Sequence, residues 1–246
     1  MIDIIILIKL ISAHLVGDFI FQSDKMCSNK NSVILKTRLQ WIGLHAIIQG
    51  FFTYIFLADW DNWEIPILII ITHYLIDFIK IKTNSTGFIA FIWDQLSHYL
   101  VILLIWWGFY IIGPCYYGID NYAFSLKTWI IFSSFITILT PTAIFIKLFL
   151  NFENWTPVGE NFKGLPNAGK WIGFLERILI LIFIYTDNIE GVGFLLAAKS
   201  IFRFGELNKA RDLKITEYVL IGTFLSFTIA IMIGYGTMWL IQNSYE

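Results

Sequence analysis

Runs of predominantly apolar residues recur along this chain, too long and too closely spaced for the alternating patterns of a soluble fold. They lie at about residues 2–21, 39–58, 65–82, 88–112, 126–150, 170–186 and 216–241. About 20 such residues cross the hydrocarbon core of a bilayer as a helix. The composition agrees: 57% hydrophobic and 14% charged, with mean hydropathy +0.70, where soluble domains average about 25% charged.

The charges between the runs alternate in sign. Lys25, Lys30, Lys36 and Arg38 follow the first run, and Asp59, Asp61 and Glu64 follow the second. Lys80 and Lys82 follow the third, Lys147, Lys163 and Lys170 lie in a later connection, Asp187 and Glu190 in the next, and Arg203, Lys209, Arg211 and Lys214 before the last run. Lys and Arg accumulate on the cytoplasmic side, so the N-terminus is expected outside. The N-terminal run has no positive leader and no small-residue cleavage site, and reads as a retained first span. Cys27 and Cys115 fall on opposite sides in this topology, so neither a disulfide nor a thiolate metal site is expected. The net charge of -1 provides no basic field for nucleic acid.

A short run at about 191–204 (GVGFLLAAKSIFRF) either crosses or forms a re-entrant half-helix. Crossing keeps the basic segment 203–214 inside, as the charge rule asks. The expected fold is an all-α polytopic transmembrane bundle of about seven membrane-spanning segments, one of them short. It forms a single integral membrane domain, 1–246, with a four-helix half at 1–112 and a second helical half at 126–241. The polar connection 151–169, rich in Asn, Gly and Pro, is long enough to serve as a lid.

Ionisable residues inside a membrane are expensive and mark functional sites. All four histidines lie in the first half, and three have an aspartate four residues away: His14 with Asp18, His73 with Asp77, and His98 with Asp94. This spacing puts both members of a pair on one helix face. The order inverts with helix direction, so in each pair the Asp lies nearer the cytoplasm and the His deeper. His45 falls at similar depth. Four spans thus bring a layer of imidazoles and a layer of carboxylates together. One reading is that each pair is an internal hydrogen bond keeping a buried His satisfied. The sharper reading is a centre for Zn, Mn or Fe, with His14, Asp18, His73, Asp77, Asp94 and His98 as ligands and no sulfur donor; so many candidates imply either two ions or aspartates that orient the histidines. A haem held by two axial histidines does not suit the matched aspartates.

A second polar set also maps to the cytoplasmic side. Glu176 and Arg177 open one span, Lys199 and Arg203 are one turn apart on the short run, and Glu217 and Tyr218 open the last. Arg177, Lys199 and Arg203 are candidates to bind an anionic head group, because Arg offers a fork that fits phosphate. Ordinary snorkelling of flanking charges and internal Glu–Arg pairing is the alternative.

The stretch His14-Leu15-Val16-Gly17-Asp18-Phe19 with Gln22 and Lys25, then His73 and Asp77, then Asp94, Gln95 and His98, resembles the uncharacterised bacterial membrane family DUF3307, a domain of unknown function. Gly173–Arg177, Ala197–Phe204 and the segment from Glu217 to Thr223 are similar to that family's longer members. The resemblance implies a bacterial integral membrane protein of the inner membrane and supplies no activity. The His/Asp pattern is also similar to that of bacterial membrane-bound metal-dependent hydrolases, by analogy alone.

Three functions are compatible with these residues. The first is a metal-dependent hydrolase acting on a lipid or lipid-linked phosphoester at the cytoplasmic leaflet. There His45 is a further ligand or general acid/base, and Glu176 orients the head-group cations. The second is a transporter of divalent metal or protons, which needs access from both faces. The third is a non-catalytic membrane partner whose buried polar groups only fix helix packing.

Overall fold

The structure is a computed structural model that describes the backbone of residues 2–112, 124–155, 167–204 and 210–244, and the side chains of these except 2, 3 and 202–215. The described residues are helical and connecting, with no strand among them. They form α1 (Ile2–Phe19), α2 (Asp24–Lys30), α3 (Leu35–Leu57), α4 (Glu64–Lys82) and α5 (Gly87–Trp106), the last running into a π-helical turn at Trp107–Ile112. After these come α6 (Leu126–Ile138), α7 (Thr140–Phe152), α8 (Ala168–Tyr185), α9 (Ile189–Phe204) and α10 (Ala210–Asn243).

Local chemistry sets several of these ends. Ser23 caps α2, its side chain accepting from the Met26 N–H, as a serine at this position commonly does. α2 is bent by 83° from α1. α3 stops at Ala58, whose left-handed backbone (φ 55°) turns the chain back. α4 carries Glu64 in its first turn and Lys80 and Lys82 in its last, both complementary to the helix dipole.

Among the described residues four helices are long and apolar enough to cross a membrane, as befits an integral membrane protein: Leu35–Leu57, Gly87–Ile112, Leu126–Phe152 and Thr216–Asn243, with α1 and α2 together a fifth candidate as a broken span. This is fewer than the seven expected. α4 and α8 have the length, at 19 and 18 residues. They carry Glu64, Asp77, Lys80 and Lys82 in the one and Lys170, Glu176 and Arg177 in the other. α9 has 16 residues.

The chain divides into two compact units, Met1–Ile136 and Thr137–Glu246. The dividing line falls near the break between α6 and α7, inside what hydropathy reads as one apolar run at 126–150, so α6 packs largely with the first unit. In that unit α1, α3, α4 and α5 alternate in direction. At one end they bury Ile5, Ile6 and Leu10 of α1, Leu57 of α3, Ile65 and Ile69 of α4, and Ile102 and Ile105 of α5. At the other end the same four helices bury His14, His45, Gln49, His73, Asp77, Asp94 and His98. One half of the bundle is therefore an aliphatic core and the other a polar one. α3 and α4 approach closely at Gly50, where a Cβ would overlap the Ile70 side chain and lie 3.0 Å from the Pro66 carbonyl oxygen. Small residues permit such contact between membrane helices. Gly50→Ala is expected to destabilise by about 1–3 kcal/mol through overpacking. Gly43→Ala, whose nearest neighbour would be Tyr74 at 4.0 Å, should leave thermal unfolding in detergent nearly unchanged.

The second unit packs Ile180, Ile184, Val192, Phe227 and Ala230 from α8, α9 and α10 into its own apolar cluster.

Candidate metal centre

The four histidines meet. Ring centroids lie 4.1 Å apart for His73 and His98, 4.8 Å for His45 and His73, 5.0 Å for His14 and His98, and 5.8 Å for His14 and His73. The inversion of His and Asp order along successive antiparallel helices is what lets them share one depth.

The aspartates do not act as three equivalent partners. Within each helix the paired atoms are 3.7 Å apart for His14–Asp18 and 4.0 Å for both His73–Asp77 and His98–Asp94. Those separations exceed a hydrogen bond, so internal satisfaction of each His by its own Asp is not how these side chains are held. Asp18 is instead a hub between helices. Its Oδ1 accepts from His45 Nε2 at 3.1 Å and from Gln49 Nε2 at 2.5 Å, and its Oδ2 accepts from Gln95 Nε2 at 3.3 Å. His73 Nε2 lies 3.5 Å from Oδ1. Gly17 makes room for this hub: a Cβ there would fall 2.5 Å from Gln49 Cδ.

Asp77 and Asp94 are held by lysines. Lys30, brought under the bundle by α2, places Nζ 2.5 Å from Asp77 Oδ2, and Lys80 places Nζ 2.7 Å from Asp94 Oδ2. Gln22, with its amide oriented to satisfy both ends, accepts from Lys30 Nζ at 2.6 Å and donates to the Asp18 carbonyl. Gln95 ties the layers together, accepting from His14 Nε2 at 3.3 Å while its amide nitrogen reaches Asp94 Oδ2 at 3.3 Å. Of these, the sequence reading assigned no site role to Lys30, Lys80, Gln49 or Gln95. By sequence Lys30 and Lys80 read as topogenic charges. Spacing could have pointed to the glutamines, since Gln49 follows His45 by one turn on α3 and Gln95 adjoins Asp94 on α5; the lysines reach their carboxylates across helices, which spacing does not encode.

The ring nitrogens left over carry the chemistry. His98 Nδ1 donates to the Asp94 carbonyl at 2.8 Å. That bond puts the lone pair of the neutral ring on Nε2, and His98 Nε2 has no hydrogen-bond partner. His45 spends its Nε2–H on Asp18, leaving Nδ1 without one, and His73 Nε2 makes no hydrogen bond either. Buried polar atoms are seldom left so. Three groups bring one ligand atom per residue within 4.8 Å of one another: His14, Asp18 and His98; Asp18, His45 and His73; and His73, Asp77 and His98. Shared members make these overlapping choices in one cluster, not three sites. Five of the six residues expected as ligands, and His45, thus fall in these groups; Asp94 is in none of them and pairs with Lys80 at the edge of the cluster. A cavity of about 10 Å³ sits against His14, His73 and His98, with Gln49, Thr53 and Thr72 on its wall.

In the second unit Lys199 Nζ pairs with Glu176 Oε2 at 2.6 Å. Arg177 is buried, and its fork is already engaged. Nε donates to the Ile138 carbonyl, Nη2 to the Leu139 carbonyl at 3.3 Å, and Nη1 to Ser226 Oγ at 3.0 Å. Those carbonyls belong to the break between α6 and α7, so Arg177 bridges a gap in a membrane-length helix. An anion would have to compete with them. Glu217 is exposed and Tyr218 partly buried. The side chain of Arg203, residues 156–166 of the expected lid, and Cys115 lie outside the described residues.

Residues 6–123 match the model of the family described as "Protein of unknown function (DUF3307)". The match takes in every histidine and aspartate of the cluster, with Lys30, Lys80 and both glutamines, and stops before the second unit. No curated protein and no solved structure matches the chain.

Proposed function

We propose that this member of the DUF3307 family is a membrane-embedded, divalent-metal-dependent hydrolase acting on a lipid or lipid-linked phosphoester. The observation that carries the metal is the set of buried imidazole nitrogens without hydrogen-bond partners, His98 Nε2 and His73 Nε2 foremost, within one small group with Asp77. Imidazole and carboxylate donors without sulfur suit Zn, Mn or Fe, and the overlapping groups admit one ion or two. His14, Asp18, His73, Asp77, Asp94 and His98 would hold the metal, with Gln49 and Gln95 orienting Asp18. A bound divalent ion lowers the pKa of a coordinated water towards about 7 and polarises a phosphoryl oxygen. His45, whose Nε2 is fixed by Asp18 and whose Nδ1 is open, would move the proton. In the second unit Lys199, held beside Glu176, with Arg177 and Arg203, is a candidate to meet the anionic head group of a lipid around that unit.

The same reading has α1, α4 and α8 cross the bilayer with the four apolar helices, for about seven segments, and has the short α9 cross or enter it. It puts the cluster towards the cytoplasmic leaflet of a bacterial inner membrane, the side on which Lys25, Lys30, Lys80 and Lys82 gather.

Metal content after purification without added metal tests the proposal. Asp77→Asn keeps size and removes charge; it should lower bound metal by about 10-fold or more, as losing an interaction at a metal site does. His73→Gln should behave alike, while Lys199→Gln should keep the metal. Normal metal content in both Asp77→Asn and His73→Gln would leave the packing role as the explanation. A second reading is transport of a divalent ion or proton through the same buried cluster. Ion flux in proteoliposomes without phosphoester hydrolysis would establish it.

A further inference from the structure

A groove of about 530 Å³ runs between α4 and α5 in the first unit, and it shares Asp94 with the histidine cluster. One end is polar, made by Lys80, Thr83, Ser85 and Thr86 at the turn between the helices. The rest is walled by Ile76, Ile79, Ile89, Ala90 and Trp93. We infer that this groove seats one anionic phospholipid, its phosphate at Lys80 and the turn hydroxyls and its acyl chain along the apolar wall. The inference rests on the hydrolase reading and names its substrate class: a bilayer lipid that approaches sideways between α4 and α5.

Three observations point to this occupant. The first is amphipathy in the right order, with a polar end at the helix turn and an apolar wall along the helix bodies. A lipid offers that sequence of groups, and a free anion offers only the first. The second is continuity with the lipid-facing surface. Ile67, Ile71, Leu75 and Ile79 form an exposed stripe on α4, and Ile89, Trp93, Leu96 and Leu100 one on α5. The groove lies between these stripes, so a chain can slide into it without leaving an apolar surrounding. The third is the asymmetry of the ion pair at the polar end. The Lys80 side chain is 34% exposed and that of Asp94 6%. A ligand in the groove therefore meets the ammonium first, with the carboxylate screened behind it. Lys80 Nζ uses one donor on Asp94 at 2.7 Å and carries two more. Thr83 Oγ1 reaches the Ile79 and Lys80 carbonyls at 3.0 Å and lies 2.7 Å from Ser85 Oγ, so Ser85 is the hydroxyl that can turn its proton to a phosphate oxygen.

The site's value to the proposed chemistry is position. Asp94 Oδ2 is held by Lys80, while Asp94 Oδ1 has no hydrogen-bond partner and lies 4.0 Å from His98 Nδ1. A phosphate drawn to Lys80 therefore arrives at the carboxylate that borders the imidazoles.

The test is lipid retention by the full chain in detergent, read by native mass spectrometry against phosphatidic acid, phosphatidylcholine of the same chains, and inorganic phosphate. Phosphatidic acid should be held at least about 10-fold more tightly than either. Ala90→Trp, which fills the apolar wall and touches none of the histidines, and Lys80→Gln, which removes the ammonium, should each abolish that preference. Ala90→Trp should keep the metal content of the unaltered protein, which separates loss of the groove from loss of the fold. Equal retention of phosphatidylcholine, equal binding of inorganic phosphate, or an unchanged preference in Ala90→Trp would overturn the proposal. Lipid preference is measured independently of metal: Asp77→Asn that loses metal and keeps the preference supports both assignments. Preference retained where the unaltered protein holds no metal sinks the hydrolase reading and leaves a lipid site.

Discussion

Asp18→Asn is expected to disable the cluster more completely than any other single change in the first unit. Three donors converge on this carboxylate, from His45, Gln49 and Gln95. An amide has one acceptor oxygen and presents donors on its other side, so it cannot answer all three. Each donor left stranded in a buried site costs about 1–3 kcal/mol. The loss should appear as a lower unfolding temperature in detergent together with a fall in bound metal of about 100-fold, the upper range for partners that orient ligands. Asp18 binds through two oxygens to groups on two other helices, so its effect should exceed that of Asp77→Asn, whose carboxylate is shared with Lys30. Metal content in Asp18→Asn equal to that of the unaltered protein would remove Asp18 from the centre.

The second large effect is expected far from any histidine in sequence. Arg177→Met should destabilise the second unit by several kcal/mol, because the Ile138 and Leu139 carbonyls and the Ser226 hydroxyl lose their donors together, at about 1–3 kcal/mol for each group left buried and unpaired. Arg177→Lys should recover only part of this, since an ammonium is a point charge and cannot span two carbonyls and a hydroxyl as a planar fork does. Hydrogen exchange should rise at the α6–α7 break in Arg177→Met while α1 to α5 stay protected. Unchanged unfolding and exchange would mean that the break is held by Thr142, whose hydroxyl reaches the Thr137 carbonyl at 2.7 Å, and not by Arg177.

Both expectations depend on details that the linear pattern conveyed unevenly. The histidine layer was legible because two periodicities coincide: a four-residue step within each helix and a reversal of His and Asp order between successive helices. The hub was not. Asp18 and Asp77 look alike as carboxylates one turn from a histidine, yet one gathers partners from two other helices and the other meets Lys30 from α2. Lys30 and Lys80 read as flanking charges because a lysine near a span end usually reaches water. Here a bent connection and a short turn carry their long side chains inward to carboxylates. Arg177 read as a phosphate fork for the same reason, since nothing in the apolar run at 126–150 beyond Pro141 marks the interruption whose carbonyls it satisfies.

What the sequence determined by itself was therefore what a low-dielectric surrounding enforces locally: helices wherever long apolar runs occur, and polar residues aligned on the faces and at the depths where each can be buried. Those follow from helix geometry and from the expense of exposing backbone or charge to hydrocarbon, and both act within one segment. The tertiary structure alone decided which carboxylate serves as hub, which lysines neutralise the other two, where the apolar run at 126–150 is broken, and that a groove beside Asp94 opens between α4 and α5. Each of these depends on the rotation of one helix against another and on the path of a connection. A Gly17 that admits Gln49 or a Gly50 that admits Ile70 sets such quantities through packing over tens of residues, beyond the reach of spacing within a helix.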